Sequence, residues 1–343
     1  MDQDHLTQAT EYLKSLRGGV VPTVGVICGS GLSGLANCLE DKQVVDYTNI
    51  PHFPQTTIVG HTGELVFGKV DVVNVVLMRG RFHSYEGHDM KTVTMPVKLM
   101  RSLGVEILIV TNAAGGLNRS FNVGDIMIIS DHIGFPMLAG NHPLVGLNDT
   151  TFGGARFPPM SDAYDKALQQ LVWETATPLK MHDYMRRSGT YAFVSGPTYE
   201  TGAESKMLLM MGCDSVGMST VPEVAVARHC GMKVIGLSLI TNSVRMPGDV
   251  GPVASHEEVI DTVNERAEAI QNLVKNVISK LENETLAKIE GRLENAADSY
   301  EARKASASLS LNQRLESIDI NSMTPLEALQ ELHKLKKMAS ITP

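Results

Sequence analysis

The sequence that decides the fold class begins at residue 191 and reads Tyr-Ala-Phe-Val-Ser-Gly-Pro-Thr-Tyr-Glu-Thr (191–201). It continues with Asp-Ser-Val-Gly-Met-Ser-Thr-Val-Pro-Glu-Val (214–224) and ends with Ser-Leu-Ile-Thr-Asn (238–242). Each segment contains an apolar run that ends in small or polar residues, which is typical of strands in an α/β sheet. Ligands bind at the carboxyl ends of such strands, where the polar loops emerge. We therefore predict an α/β fold in which Glu200, Ser219 and Asn242 meet at one crevice, suited to a flat heterocycle beside a small anion.

The composition allows a substantial core. The chain has 343 residues, 43% of them hydrophobic and 20% charged, which is enough for one large or two ordinary domains. Its formal net charge of −8 disfavours general attraction to nucleic-acid phosphates, so we expect no nucleic-acid partner. No apolar run is long enough to cross a bilayer, and residues 1–10 are polar, so we expect neither a signal peptide nor a membrane partner.

The cysteines indicate a reducing compartment. Cys28, Cys38, Cys213 and Cys230 lack the spacing of a metal site, and three of them lie in or beside apolar segments. This pattern favours buried thiols in a cytoplasmic protein over a disulfide framework, and it predicts no bound metal.

A glycine-rich turn follows the first apolar run, residues 20–28, and reads Gly-Ser-Gly-Leu-Ser-Gly (29–34). We favour a phosphate loop in which Ser30 donates a hydroxyl hydrogen bond and the next helix points its free N–H groups at the anion. The same letters fit a dinucleotide fingerprint with Asp46 as the ribose acid, or a plain strand–helix turn. The dinucleotide interpretation is disfavoured because the intervening helix would be only about two turns and no second nucleotide half follows.

Two polar segments follow in the first third of the chain. In Arg-Gly-Arg-Phe-His-Ser-Tyr-Glu (79–86), an extended backbone would project Arg81, His83 and Tyr85 to one side. Guanidinium and imidazole groups suit phosphate oxygens, and a phenol suits a sugar hydroxyl. His61 lies in the glycine-flanked loop 60–63 and is equally compatible with a structural hydrogen bond and with a ligand contact.

Periodicity predicts the remaining elements. We predict helices over 7–16, 92–103, 161–173, 201–211 and 223–230, a long helix from the capping box at 255–258, and further strands over 65–76, 107–110 and 123–129. The small residues 111–116 either expose backbone N–H groups to a ligand or allow close helix–sheet packing. The composition of residues 134–159 predicts a long functional or interfacial loop, and that of residues 245–254 predicts a mobile lid.

With these motifs in order, the chain closely resembles the trimeric purine nucleoside phosphorylases from about residue 7 to residue 281. The matching motifs are Gly29-Ser30-Gly31-Leu32, Gly80–Gly87, Thr111–Leu117, Gly196–Thr201 and Gly217–Glu223. The resemblance implies a three-layer α/β fold with a mixed, partly barrel-like central sheet flanked by helices. It also implies a catalytic domain over residues 1–283, followed by an extension over 284–343.

The resemblance assigns roles residue by residue. Phosphate is expected to contact Ser30, His61, Arg81, His83, the backbone of Ala113, and Ser219. Ribose is expected to contact Tyr85, Met218, His256 and, from a neighbouring subunit, Phe157. The purine is expected to contact Tyr199, where relatives often have phenylalanine, together with Glu200, Val216 and Asn242. Glu200, Asn242 and His83 are the expected catalytic residues.

The implied reaction is the reversible phosphorolysis of inosine and guanosine by a cytoplasmic homotrimer, with phosphate as co-substrate and no cofactor. Glu200 as an acceptor would select 6-oxopurines, because N1 of adenine carries no proton. Related methylthioadenosine phosphorylases usually have aspartate where Asn242 stands, which disfavours a methylthioadenosine or adenosine enzyme. A non-catalytic nucleoside-binding protein is the other alternative. Ser243 departs from the lysine of vertebrate relatives, and we expect only a weak effect on the guanine edge or the lid.

The tail has a separate similarity. Residues 318–337, with Thr-Pro-Leu-Glu-Ala-Leu (324–329) and Leu-Lys-Lys (335–337), resemble the short C-terminal segment of bacterial mismatch-recognition ATPases. Because about twenty residues of a capped helix can arise independently, we favour convergence or an unrelated assembly helix.

Overall fold

The computed structural model describes residues 3–29, 32–57, 62–250, 256–281, 290–294, 318, 331–332 and 335. The chain divides into two compact units, Met1–Glu282 and Asn283–Pro343. The first unit contains the sheet, and in the second the described residues 290–294 are helical.

Nine strands and seven α-helices make up the described part of the first unit. The strands are β1 (Val24–Ile27), β2 (Glu40–Asp46), β3 (Glu64–Val70), β4 (Val73–Arg79), β5 (Ile107–Gly116), β6 (Ile126–Gly134), β7 (Met185–Phe193), β8 (Ser215–Gly217) and β9 (Lys233–Ser243). The helices are α1 (Gln3–Leu16), α2 (Met90–Leu103), α3 (Phe135–Leu138), α4 (Lys166–Ala176), α5 (Gly202–Met210), α6 (Val221–His229) and α7 (His256–Ser279).

The strands form one mixed sheet that closes partly on itself. Their order is β2-β3-β4-β1-β5-β8-β7-β6-β9, and a further pairing of β5 with β9 closes the last five strands into a barrel. The pairs β1–β5, β5–β9, β6–β7 and β7–β8 are parallel, whereas β5–β8 and β6–β9 are antiparallel. The predicted α/β fold with a mixed, partly barrel-like sheet is confirmed.

The long ladder between β5 and β9 brings together residues that are distant in sequence. Its register pairs Ala113 with Leu239 and, after an irregularity, Gly115 with Asn242. A Cβ atom on Gly115 would lie 2.5 Å from Val244 Cγ2, so a larger residue at this position would have to displace the Val244 side chain. The ladder therefore places the amide of Asn242 beside the backbone of residues 113–115.

Most predicted elements are present, but two strands are longer than predicted. The sequence predicts that β5 ends near residue 110 and that β6 closes at residues 131–132, whereas β5 continues to Gly116 and β6 to Gly134. The Asn-Ala-Ala-Gly-Gly end of β5 has weak strand propensity, and its partner β9 supplies the hydrogen bonds that extend it. The predicted long loop after residue 134 begins with the short helix α3.

Helices cover the sheet and are capped as their sequences indicate. Thr201 and Glu204 form a capping box at the start of α5, and Asp165 caps α4, so that this helix begins later than the predicted residue 161. Along α7, Val263 and Ile270 are buried, whereas Ile260 is 42% exposed. No helix among the described residues is both long enough and apolar enough to span a membrane.

Candidate active site

One pocket brings together ten of the fourteen residues to which the sequence assigns a role. It opens where β5, β8 and β9 end and where the segments after β4 and β7 begin. The predicted residues that line it are Arg81, His83, Tyr85, Ala113, Tyr199, Glu200, Val216, Met218, Ser219 and Asn242. Asn112, Ala114, Gly115, Gly217, Thr241 and Val259 complete the lining.

A buried carboxylate fixes the imidazole of His83. Glu86 accepts hydrogen bonds from the His83 backbone N–H (2.8 Å) and from both donors of Thr57 (2.9 and 3.0 Å), and it lies 3.1 Å from His83 Nδ1. Burial alone would raise the pKa of Glu86, but the hydrogen bonds from His83 and Thr57 outweigh it and lower the pKa to about 2. Glu86 is therefore ionised near neutral pH and orients the His83 ring through Nδ1.

The sequence predicts an extended backbone for the segment that carries His83 and Tyr85, but only part of that segment is extended. Residues Ser84–Glu86 form a 3₁₀ turn closed by Gly87 at a φ of 92°. The turn stacks the rings of His83 and Tyr85, with centroids 4.6 Å apart and planes 18° from parallel. Burial and the charge of Glu86 raise the pKa of Tyr85 to about 12, so its phenol is a hydrogen-bond donor near neutral pH.

Arg81 lies buried at one end of the pocket. Its Nη1 donates to Ser219 Oγ at 2.9 Å, and its Nε lies 2.9 Å from Glu223 Oε1. The side chains of Arg81 and Glu223 are both only 2% exposed. Burial raises the pKa of Glu223, and the positive charge of Arg81 opposes that shift.

Ser219 is held by an unusual turn at the start of α6. Thr220 has a φ of 77° and a ψ of −54°, and Val221 N–H donates to Ser219 O at 2.9 Å, which forms a strained γ-turn. The Thr220 hydroxyl accepts a hydrogen bond of 2.9 Å from Asn112 Nδ2. Tyr191 Oη accepts a longer bond of 3.4 Å from Ser219 N–H. Buried side chains from β5 and β7 thus support the turn and, with it, the hydroxyl of Ser219.

The pocket is also lined by an acid, Glu200, and an amide, Asn242. Burial raises the pKa of Glu200, and the nearby negative charge of Glu204 raises it further. Thr241 Oγ1 donates to the nearer of its two acceptors, Asn242 Oδ1 at 3.3 Å, with Ala114 O at 3.4 Å as the alternative. Because Oδ1 is engaged in this way, the Nδ2 donors of Asn242 remain for a ligand.

Three predicted residues cannot be placed in the pocket, and a fourth lies outside it. Ser30 and His61 are outside the described residues, and His256 begins α7 but its side chain is also outside them. Phe157 is 86% exposed in the loop after α3 and does not line the pocket of its own chain.

Several residues that build this site carry no prediction from the sequence. Asn112 and Thr241 form hydrogen bonds with neighbouring site residues, and both lie in segments that the sequence predicts as strand ends. Glu86 and Glu223 belong to motifs that were quoted without a role for either acid. The signal that could have identified Glu223 is an acid in the first turn of a helix directly after Ser219-Thr220.

The arrangement can hold an anion and an aromatic base side by side. Guanidinium, imidazole and hydroxyl groups line the pocket together with a carboxylate and an amide. Among the described residues, no group of three or more His, Cys, Asp or Glu side chains is placed to hold a metal ion.

Comparisons with known proteins agree with this geometry. The phosphorylase superfamily model matches residues 23–279. Purine nucleoside phosphorylase of Mus musculus is 49% identical over 276 residues, which cover 80% of this chain and 92% of the relative. Purine nucleoside phosphorylase 1 of Bacillus subtilis is 48% identical, covering 82% of this chain and all of the relative.

A solved structure gives the same result. The crystal structure of Schistosoma mansoni purine nucleoside phosphorylase with inosine has a TM-score of 0.78 and 45% identity, covering 82% of this chain and 98% of that one. A second family model, the DNA mismatch repair protein MutS C-terminal region, matches residues 303–338, which includes the tail segment noted in the sequence. From residue 23 to residue 279, the chain belongs to the purine nucleoside phosphorylases of the phosphorylase superfamily.

Proposed function

We propose that this chain catalyses the reversible phosphorolysis of 6-oxopurine ribonucleosides and deoxyribonucleosides, giving the free base and α-(deoxy)ribose 1-phosphate for purine salvage. The observation that carries the proposal is one pocket lined both by Arg81, His83 and Ser219 and by Glu200 with Asn242.

Different residues stabilise the two charges that develop when an N-glycosidic bond breaks. As the bond breaks, positive charge develops on the sugar and negative charge on the departing purine. Phosphate held by Arg81, His83 and Ser219, with the backbone of Ala113, stabilises the sugar charge, while a donor from Asn242 at N7 stabilises the base. Ser30 and His61 complete the phosphate set. Holding the two reactants in line supplies much of the rate, and the step requires neither a cofactor nor a covalent intermediate.

The ribose and base contacts follow from the same pocket. We assign the sugar hydroxyls to Tyr85 and Met218, with His256 at the 5′-hydroxyl, and the purine faces to Tyr199 and Val216. Glu200 accepts the N1–H of hypoxanthine or guanine and the 2-amino group of guanine. Adenine has no N1 proton and would present a lone pair to the carboxylate, a mismatch that can discriminate by roughly 10⁴-fold.

A phosphate-dependence assay tests this function. With inosine or guanosine as substrate, we expect base release to require phosphate and to yield ribose 1-phosphate, with much slower turnover of adenosine and methylthioadenosine. Structures of Schistosoma enzymes hold inosine, guanosine and, in one case, adenosine, so selectivity is measured by turnover and not by binding. Base release without phosphate would indicate a hydrolase, and tight binding without turnover would indicate a non-catalytic nucleoside-binding protein.

We also propose a homotrimer in which Phe157 of one subunit completes the sugar site of the next. The exposed ring of Phe157, on a loop anchored by the Lys98–Asp149 ion pair of 2.7 Å, supports this role. Phe157→Ala is expected to raise KM for inosine about tenfold, because an aromatic contact of about 1.5 kcal/mol is lost. Leu147→Ala, a fully exposed residue of the same loop, is the matched control and is expected to keep wild-type KM. Full activity in monomers separated by dilution would contradict the shared site.

We also propose a cellular compartment for the protein and a division of its chain into a catalytic domain and an extension. All four cysteines are unpaired and three are buried, which fits a reducing compartment, so we place the protein in the cytoplasm. We assign catalysis to residues 1–283 and treat residues 284–343 as an extension, since the superfamily match ends at residue 279.

A further inference from the structure

We propose that Glu223 is a positioning residue: its carboxylate fixes the orientation of the Arg81 guanidinium and, through it, the affinity of the enzyme for phosphate. The inference rests on the proposed assignment of Arg81 to the phosphate site. Glu223 would then affect phosphate binding without contacting the nucleoside.

The first support is the geometry around Arg81. Glu223 Oε1 lies 2.9 Å from Nε, and Ser219 Oγ accepts from Nη1 at 2.9 Å. A guanidinium is a rigid planar fork, so partners on two of its nitrogens define the plane in which its remaining N–H groups point. The pair is almost completely buried, so water cannot replace Glu223 as the partner of Nε.

The second support is the position of Glu223 in the chain. It stands in the first turn of α6, three residues after Thr220. Thr220 is the centre of the γ-turn that presents Ser219. The residue that pairs with the guanidinium therefore stands on the helix that directly follows the turn carrying the second phosphate donor.

Two effects of Glu223 on phosphate oppose each other. Its negative charge repels the anion, whereas its contacts align the donors that bind the anion. We infer that alignment is the larger effect, because a charge-assisted hydrogen bond contributes strongly only when its donor is well directed. Misdirecting such a bond weakens binding by about ten- to a hundredfold. If repulsion were the larger effect, removing the charge would lower KM for phosphate, whereas loss of alignment raises it. The direction of the change in KM therefore decides between the two effects.

Glu223→Gln removes the charge while keeping the shape. Its neutral amide presents one oxygen and one NH₂ group where the carboxylate presents two charged oxygens, so it pairs less strongly with the Arg81 guanidinium. We expect KM for phosphate to rise about tenfold or more while KM for inosine changes less than about twofold. The matched control is Asp125→Asn, which breaks another ion pair of a buried carboxylate, with the partly buried Arg186 at 2.7 Å. It is expected to lower the melting temperature and leave KM for phosphate unchanged.

A double-mutant cycle separates this inference from the assignment on which it rests. Arg81→Met alone is expected to raise KM for phosphate, and adding Glu223→Gln to it is expected to have no further effect, because Glu223 acts through Arg81. An unchanged KM in Arg81→Met would show that Arg81 does not bind phosphate.

A raised KM for phosphate in Arg81→Met together with an unchanged or lowered KM in Glu223→Gln would overturn the positioning role and leave the function intact. If Glu223→Gln does not fold, Glu223→Asp is measured instead, since it keeps the charge but withdraws the carboxylate by one methylene. The same selective rise is expected there, and its absence counts against the proposal.

Discussion

Replacing Asn242 with aspartate is expected to move the preference between inosine and adenosine by at least about a hundredfold toward adenosine. The measurement is the ratio of kcat/KM for the two nucleosides at fixed phosphate. We expect inosine turnover to fall and adenosine turnover to rise, so the ratio changes more than either rate.

The hydrogen-bonding pattern of the purine edge explains this direction. N7 and the 6-oxo group of hypoxanthine are both acceptors, and the Nδ2 group of Asn242 offers two donors because Thr241 holds Oδ1 at 3.3 Å. Adenine presents an acceptor at N7 and a donor at its 6-amino group. A protonated aspartate matches that pair with one donor and one acceptor, whereas it leaves one acceptor of hypoxanthine unmatched.

Ser243→Asp is the charge-matched control for this substitution. It adds the same carboxylate one residue along the chain, at a position that is exposed and outside the pocket. We expect it to leave the ratio within about twofold, because an exposed charge interacts weakly through water. A ratio that stays unchanged in Asn242→Asp would show that Asn242 does not select the base.

The parts of the site that lie within one short segment could be predicted from the sequence. Arg81, His83 and Tyr85 come from one run of eight residues, 79–86, and all three line the pocket. Their common direction did not arise as predicted, because the 3₁₀ turn at Ser84–Glu86 replaces an extended backbone. Side chains of the right chemistry were therefore identified without the local geometry that positions them.

The contacts that hold these residues depend on long-range pairing and could not be predicted. Arg81 and Ser219 are 138 residues apart, and their contact requires the order of strands in the closed sheet. The continuation of β5 to Gly116 has the same origin, because its Ala and Gly residues become a strand only through the ladder with β9. Periodicity reports which face of an element is apolar, and it contains no information about distant partners.

Glu200→Ala is expected to lower kcat/KM for inosine about a thousandfold. The variant loses a charge-assisted hydrogen bond to N1–H and the orientation of the base that this bond provides. Folding is expected to be unaffected or improved, because the raised pKa of Glu200 means that its ionised form is disfavoured in the folded protein. A melting temperature equal to or above that of the wild type would therefore separate lost recognition from lost structure.

Glu200→Gln adds a test of how many acceptors the base uses. Inosine offers one donor to this position and guanosine offers two, so an amide with one acceptor can satisfy inosine but not guanosine. We expect a loss in kcat/KM of about tenfold for inosine and about a hundredfold for guanosine. Glu204→Gln is the control, because it removes an exposed carboxylate four residues away, and both substrates are expected to stay within about twofold.

The pH dependence of the same variant identifies the titrating group. Burial raises the pKa of Glu200, so the carboxylate that accepts N1–H is protonated at a higher pH than an ordinary glutamate, and activity is lost as the pH falls through that value. Glu200→Gln cannot titrate, and phosphate protonation affects both proteins equally. The ratio of wild-type to variant kcat/KM is therefore expected to fall as the medium is made more acidic, with its midpoint above pH 4.5, the value of a free glutamate. A ratio that is constant across the acidic range would mean that the ionised form of Glu200 does not recognise the base.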